Sequence, residues 1–216
     1  LEASKGRDPS NFYEMVVKMQ EYCRSIHVNM TSTCTPYTVG NVPLKGEHCA
    51  WTESSAISYA NSVLGAKSNI EGDHSAFASA VTGKTVYWGF HIDKNRIGSV
   101  LVNVEIQPKS IMDWDLLGYY TGFKVGLDIP VYNGIKTTAN MRKLMALCSA
   151  GAASGAIIMN HVVGITPEAP TVEQALGNSK PKKVLNYGKK QRKESYEKLN
   201  CSNSKIFDYV VLGCPH

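Results

Sequence analysis

From residue 98 to residue 187 the chain alternates short apolar runs with stretches of helical period, and this alternation limits its fold more than any other feature. Residues 98–106, 129–132, 156–163 and 183–187 read as strands, rich in Val, Ile and Tyr. Residues 111–125, 138–154 and 171–176 lie between them and read as helices. Strands separated by helices imply an α/β fold with a largely parallel sheet. The second half of the 138–154 helix is rich in Ala and Gly, which permits close packing. In such sheets ligands gather at the carboxyl ends of the strands.

The flanking segments extend the pattern. Phe12, Met15, Val16, Met19 and Tyr22 fall at helical spacing within 10–27, with Ser10 as a cap after Pro9. A short strand is expected at 27–33, ended by Cys34-Thr35-Pro36, because proline cannot donate to a ladder. Residues 48–64 read as a helix stopped by Gly65, and 75–82 as a helix stopped by Gly83. Residues 85–92 read as a strand, 189–199 as a polar helix, and 206–212 as a last apolar strand. On this reading Cys34, His91, His161 and Cys214 sit at or near strand ends.

Bulk properties exclude several classes. A chain of 216 residues fits one large domain or two small ones. The net charge of +5 comes largely from 180–198, which reads as a solvated face; no aromatic platform or motif for nucleic acid accompanies it. No apolar run reaches the ~20 residues of a membrane span, and no signal peptide is evident. The six cysteines are scattered without a CxxC pair, which argues against zinc ribbons and thioredoxin-type sites. A cytoplasmic protein with reduced thiols is expected. The chain lacks an initiator Met and stops just after an apolar run, so a fragment cut at both ends is expected.

A few residues could carry chemistry. Cys34 and Cys214 each follow an apolar run and precede a proline, so they are either small buried hydrophobes or thiolates for a soft metal. Cys23 and Cys148 read as core, and Cys201 as exposed. Glu53, Ser54 and Ser55 open the 48–64 helix, where a carboxylate is either a cap or a general acid–base group. Asn61 lies two turns on from Glu53. Asn69, Glu71 and His74 occupy a glycine-containing loop that suits either turn chemistry or function. His161 lies inside an apolar run, with Thr166 and Glu168 just past it. No GxSxG elbow supports serine hydrolysis.

Taken in order, these blocks resemble one known family. They are Cys34-Thr35-Pro36-Tyr37, Gly46-Glu47-His48, Trp51-Thr52-Glu53-Ser54-Ser55, Tyr59-Ala60-Asn61-Ser62, Asn69 with Glu71-Gly72, His161 through Ala169, and Gly213-Cys214-Pro215-His216. The chain resembles the catalytic, large-subunit portion of the aconitase X family over nearly its whole length. The resemblance implies an aconitase-like three-layer α/β/α body with mostly parallel sheets, of which residues 1–216 form a part. It also implies an iron-dependent hydro-lyase acting on a small hydroxy acid, with a small swivelling subunit or domain as partner. Family activities include dehydration of mevalonate 5-phosphate and of cis-3-hydroxy-L-proline. An iron–sulfur cluster or mononuclear iron would be held by Cys34, Cys214 and a third cysteine outside this chain. Catalytic groups are expected among Glu53, Ser54, Ser55 and Glu71, and substrate-orienting groups among Asn61, Asn69, His91, His161 and Thr166. The family's dehydratases typically read Asn-Arg-Glu-Gly-Gly-Pro-Ser where this chain has Asn69-Ile70-Glu71-Gly72-Asp73-His74-Ser75. Ile70 in place of arginine removes a bidentate anion clamp. That points away from a phosphorylated substrate, or to a family member that acts as a metal-binding or regulatory module. A zinc or thiol enzyme of another family is the remaining reading.

Overall fold

The computed structural model describes residues 11–202, 204–211 and 213. They fall into two units, the first ending at Thr33 and the second beginning at Cys34. The first unit contains helix α1, Phe12–Ser25, started by Asn11 in a left-handed conformation (φ 52°). None of its residues is buried, and Phe12, Met15, Met19 and Tyr22 are exposed. The strand expected at 27–33 is not formed; these residues are irregular and mostly exposed, without a partner strand.

The second unit is organised around one sheet. Its strands are β1, Val100–Val104; β2, Pro130–Asn133; β3, His161–Val162; and β4, Lys183–Tyr187. They lie in the order β3-β2-β1-β4, all parallel. Val100 aligns with Pro130 on one side and with Lys183 on the other, while Val131 aligns with His161. Helix α4, Ile111–Val125, crosses from β1 to β2, and α5, Met141–Gly155, crosses from β2 to β3. Helix α6, Val172–Ala175, lies between β3 and β4, and α7, Lys189–Leu199, follows β4. The α/β fold with a parallel sheet is therefore as expected, and α4, β4 and α7 match their predicted bounds.

The period of two along β1 divides the core. Val100, Val102 and Val104 join Trp114, Leu117, Leu147 and Tyr132 in the larger cluster. Val131, with Leu101 packed beside it, belongs to a smaller cluster with Ala169, Ala175 and Leu176. Helices α4 and α5 meet through glycine. A Cβ on Gly155 would lie 2.0 Å from the carbonyl oxygen of Gly122, so the backbones touch where side chains would normally hold them apart.

Several expectations are corrected. The 156–163 strand shrinks to two residues, and 85–92 forms a 3₁₀ turn at Gly89–His91 with Val86, Tyr87 and Trp88 exposed. The described part of 206–212 is irregular, with Ile206–Val211 exposed. β-propensity reports packing against neighbouring strands, and among the described residues 85–92 and 206–211 have none. The helix expected at 48–64 begins only at Ser54; α2 is Ser54–Tyr59 and continues as a π-turn through Leu64. Residues 48–53 stay extended because Cys49 N–H donates to Lys67 O at 2.9 Å, and Lys67 N–H to Glu47 O at 2.8 Å. Helix α3, Asp73–Thr82, starts two residues earlier than expected and stops at Gly83 as expected.

Candidate functional site

A cleft of about 700 Å³ opens in the second unit. One wall is His48, Cys49 and Trp51; the other comes from α3 and the segment after it, including Ser79, Lys84 and Tyr87. His91 closes it. The first wall is an extended pairing of residues 47–51 with 67–71, completed by Trp51 N–H donating to Ser68 Oγ (3.2 Å) and Glu71 N–H to Trp51 O (3.2 Å).

Asn69 places His91. Its Oδ1 accepts from Phe90 N–H at 2.8 Å, and its Nδ2 donates to Trp88 O at 3.1 Å. Gly89 lies between, at φ 59°, and a Cβ there would come within 2.2 Å of Asn69 Oδ1. Only glycine meets both demands. The loop thus delivers His91 against His48: their Nδ1 atoms are 2.8 Å apart and the rings stack at 5.0 Å. His91 is buried while His48 is exposed. Burial lowers the His91 pKa, as does the neighbouring His48, with Glu71 opposing.

Other groups nearby are committed. Glu71 Oε2 accepts from Ser75 Oγ at 2.6 Å. Lys67 pairs with Asp93 at 2.6 Å. Burial pushes the Cys49 thiol up to about 11, against the bond from Ser68, so it is a poor nucleophile at neutral pH. Glu53 is the N-cap of α2: Oε2 accepts from Ala56 N–H (2.7 Å) and Ser55 Oγ (2.5 Å). Ser55 is buried, and Ser54 is exposed.

Beneath the cleft lies a polar knot centred on Arg96, which is 2 % exposed. Its guanidinium grips the Glu168 carboxylate through Nε and Nη2, donates to Asn61 Oδ1 (3.1 Å) and Phe90 O (3.1 Å) through Nη1, and reaches Asn61 O (3.0 Å) through Nη2. Its carbonyl takes His161 Nε2 at 2.8 Å, so that nitrogen carries the proton. Asn61 also accepts from Ser68 N–H and donates to Ser68 O and Ile158 O. Thr166 Oγ1 accepts from Val162 N–H.

The structure therefore groups the expected residues in two places. His91 lines the cleft, Asn69 fixes the segment that bears it, and Glu71 is near enough to oppose the lowering of its pKa. Asn61, His161 and Thr166 are buried; Asn61, Thr166 and His161 Nε2 bond within the protein, while His161 Nδ1 has no hydrogen-bond partner. The bonds of Asn61 and Thr166 in this structure are internal ones. His161 opens β3 and faces the chain entering β1, away from the strands' carboxyl ends. Cys34 is half-buried in a bend before the turn at Pro36–Thr38 and ends no strand. Cys214 lies outside the described residues. Among the described residues no group of three or more His, Cys, Asp or Glu converges as a metal site. The described donors by themselves make no cradle for iron. Spacing marks neither His48 nor Arg96: His48 sits inside a longer motif block, and one arginine before an apolar run carries no signal.

Two family models match the chain, the aconitase X first domain over residues 2–94 and the aconitase X second domain over 98–197. The chain is 37% identical to a phosphomevalonate dehydratase large subunit of Thermococcus kodakarensis, over 98% of this chain and 53% of that protein. It is 40% identical to the like-named protein of Methanocaldococcus jannaschii, over 95% and 51%. It is 36% identical to a cis-3-hydroxy-L-proline dehydratase of Hypocrea jecorina, over 96% and 36%. The crystal structure of aconitase X from Thermococcus kodakaraensis, in its holo-form, superposes with a TM-score of 0.78 at 36% identity, over 88% of this chain and 48% of that one. The chain thus spans about half the length of the phosphomevalonate dehydratase subunits it matches. With the two domain models matching most of its length, the chain belongs to the aconitase X family.

Proposed function

We propose that this chain carries the cleft-forming part of a hydro-lyase that removes water from a small hydroxy acid. The observation that carries the reading is the cleft itself: it joins a histidine pair and the neighbouring Glu71 on a scaffold whose relatives are named dehydratases. Glu71, or Glu53 with Ser54 and Ser55, would supply the base for the α-proton. Asn69 would act by fixing the segment that bears His91. Iron or an iron–sulfur cluster would be held by Cys34 with Cys214 and a further cysteine from outside the chain, and would supply a Lewis acid for the substrate hydroxyl. A small subunit would complete the enzyme, as the relatives' name "large subunit" suggests. Among the described residues no helix is long and apolar enough to cross a membrane; a cytoplasmic setting is part of the proposal.

The substrate loop favours a non-phosphorylated acid. Ile70 is half exposed, and Asp73 adds a negative charge at the start of α3. The complete protein, loaded with iron beside its small partner, should dehydrate cis-3-hydroxy-L-proline or a similar acid better than mevalonate 5-phosphate. Turnover of neither, with iron fully bound, would refute the enzyme reading. It would leave the second one, a metal-binding or regulatory module, which the same two residues favour. In that case Cys34→Ser would alter stability or partner binding without any turnover to lose.

A further inference from the structure

We infer that His48 is the acid–base residue of the cleft and that His91 positions it, the two imidazoles sharing one proton between their Nδ1 atoms. This rests on the hydro-lyase reading for its chemistry, but the geometry stands independently. A separation of 2.8 Å between two ring nitrogens requires one N–H and one lone pair. Two neutral rings satisfy it, and so does one imidazolium beside one neutral ring; two imidazoliums do not. The charge must then sit on the exposed His48, since His91 is 1% exposed and Arg96 and Lys67 also act against its protonation. Glu71 faces the pair with the opposite sign, and Asp93 is held by Lys67.

The consequence is a ring that can give or take a proton at Nε2 without moving. His48 lines the cleft, and with Nδ1 committed to His91, its Nε2 is the nitrogen left for a ligand. The stack of the two rings fixes its plane. His91 Nε2 is buried without a hydrogen-bond partner, the cost of packing a ring there for its other nitrogen alone. In a dehydration, a base takes the α-proton and the C–H pair becomes the new C=C bond. The C–O pair leaves on oxygen, which takes the Nε2 proton of the His48 imidazolium as water departs. Neutral His48 remains bonded to His91 and is reprotonated from solvent. The orientation of one acid–base group by a second, buried group follows the general logic of catalytic histidines.

The test compares His48→Gln, His91→Asn and His91→Phe in the complete, iron-loaded protein, each checked for an unchanged melting temperature. His48→Gln should lower kcat about 100-fold or more with KM changed only a few-fold, and should remove one limb of the kcat–pH profile. His91→Asn, which can still bond to Nδ1, should keep most of kcat. His91→Phe should lose much of it and displace the same limb. Wild-type kcat with an intact pH profile in His48→Gln would overturn the assignment. Nitrogen-15 spectra of the imidazoles supply a readout apart from turnover: the His48 titration should shift in His91→Phe and be nearly restored in His91→Asn. If the spectra show this coupling while the wild-type complex dehydrates nothing, the hydro-lyase reading fails and the pair stands. Independent titrations would remove the pair itself.

Discussion

Asn61 and Cys49 show how neighbours decide what a side chain can do. Asn61 is polar and lies two turns beyond a carboxylate on a helix, which invites a ligand-binding role. In the fold its amide is consumed by Ser68, Ile158 and Arg96. Cys49 lines the cleft, yet burial holds its thiol near 11. Burial likewise raises the Cys148 thiol. Under mild alkylation at pH 7.5, Cys49 and Cys148 should label far more slowly than exposed Cys201, as peptide mass spectrometry would show. Rapid labelling of Cys49 would contradict this. Asp113 illustrates the opposite effect: burial works to raise its pKa, but bonds from Ser110, Arg192 and Lys109 prevail and hold it at about 2. Its folded value lies below that of an unfolded aspartate, so its contribution is present above about pH 4 and is lost as pH falls through 2. The melting temperature of wild type should exceed that of Asp113→Asn at neutral pH, and the gap should close between pH 4 and pH 2.

At the scale of elements, the strongest local signals survived. Ser110 and Asp113 form a capping box at the start of α4, and a helix with such a box is marked by its sequence. Gly65 and Gly83 end their helices in the left-handed region. The Ala/Gly-rich half of α5 meets α4 at backbone distance, with Gly122 and Gly155 in contact. Gly155→Ala should cost about 1–3 kcal/mol by overpacking, read from urea unfolding, while Gly126→Ala, which meets no atom within 4 Å, should cost less through backbone strain alone. What failed at this scale were isolated apolar runs. Residues 85–92 have the composition of a strand but line a cleft, and a strand exists only where another strand accepts its hydrogen bonds.

At the scale of the molecule, Arg96 is the joint between the two matched domains. Within the first it binds Asn61 and the carbonyl before His91; within the second it binds Glu168 and, through its own carbonyl, His161. A buried guanidinium with this fork of partners has no lysine equivalent. Arg96→Lys should destabilise the protein by about 2–4 kcal/mol, since several bonds to charged or buried groups are lost together. It should also weaken the His48–His91 bond, visible in the imidazole spectra, because the Phe90 carbonyl is released. An unchanged melting temperature would argue against the joint.

The alternation of strands and helices, and with it a parallel α/β sheet, is legible along the chain because periods of two and 3.6 are written locally. The ordered motif blocks also specified the family, since several linked short patterns are far more selective than one. Which polar residues sit at the cleft and which are buried away from it is visible only in three dimensions. Asn61, His161 and Thr166 look no different from Asn69 and His91 along the chain. Their roles separate only when residues from distant segments, Arg96 and Glu168 for one group and His48 for the other, arrive to complete their hydrogen bonds. Pairing across 43 positions, as between His48 and His91, leaves no trace in local spacing.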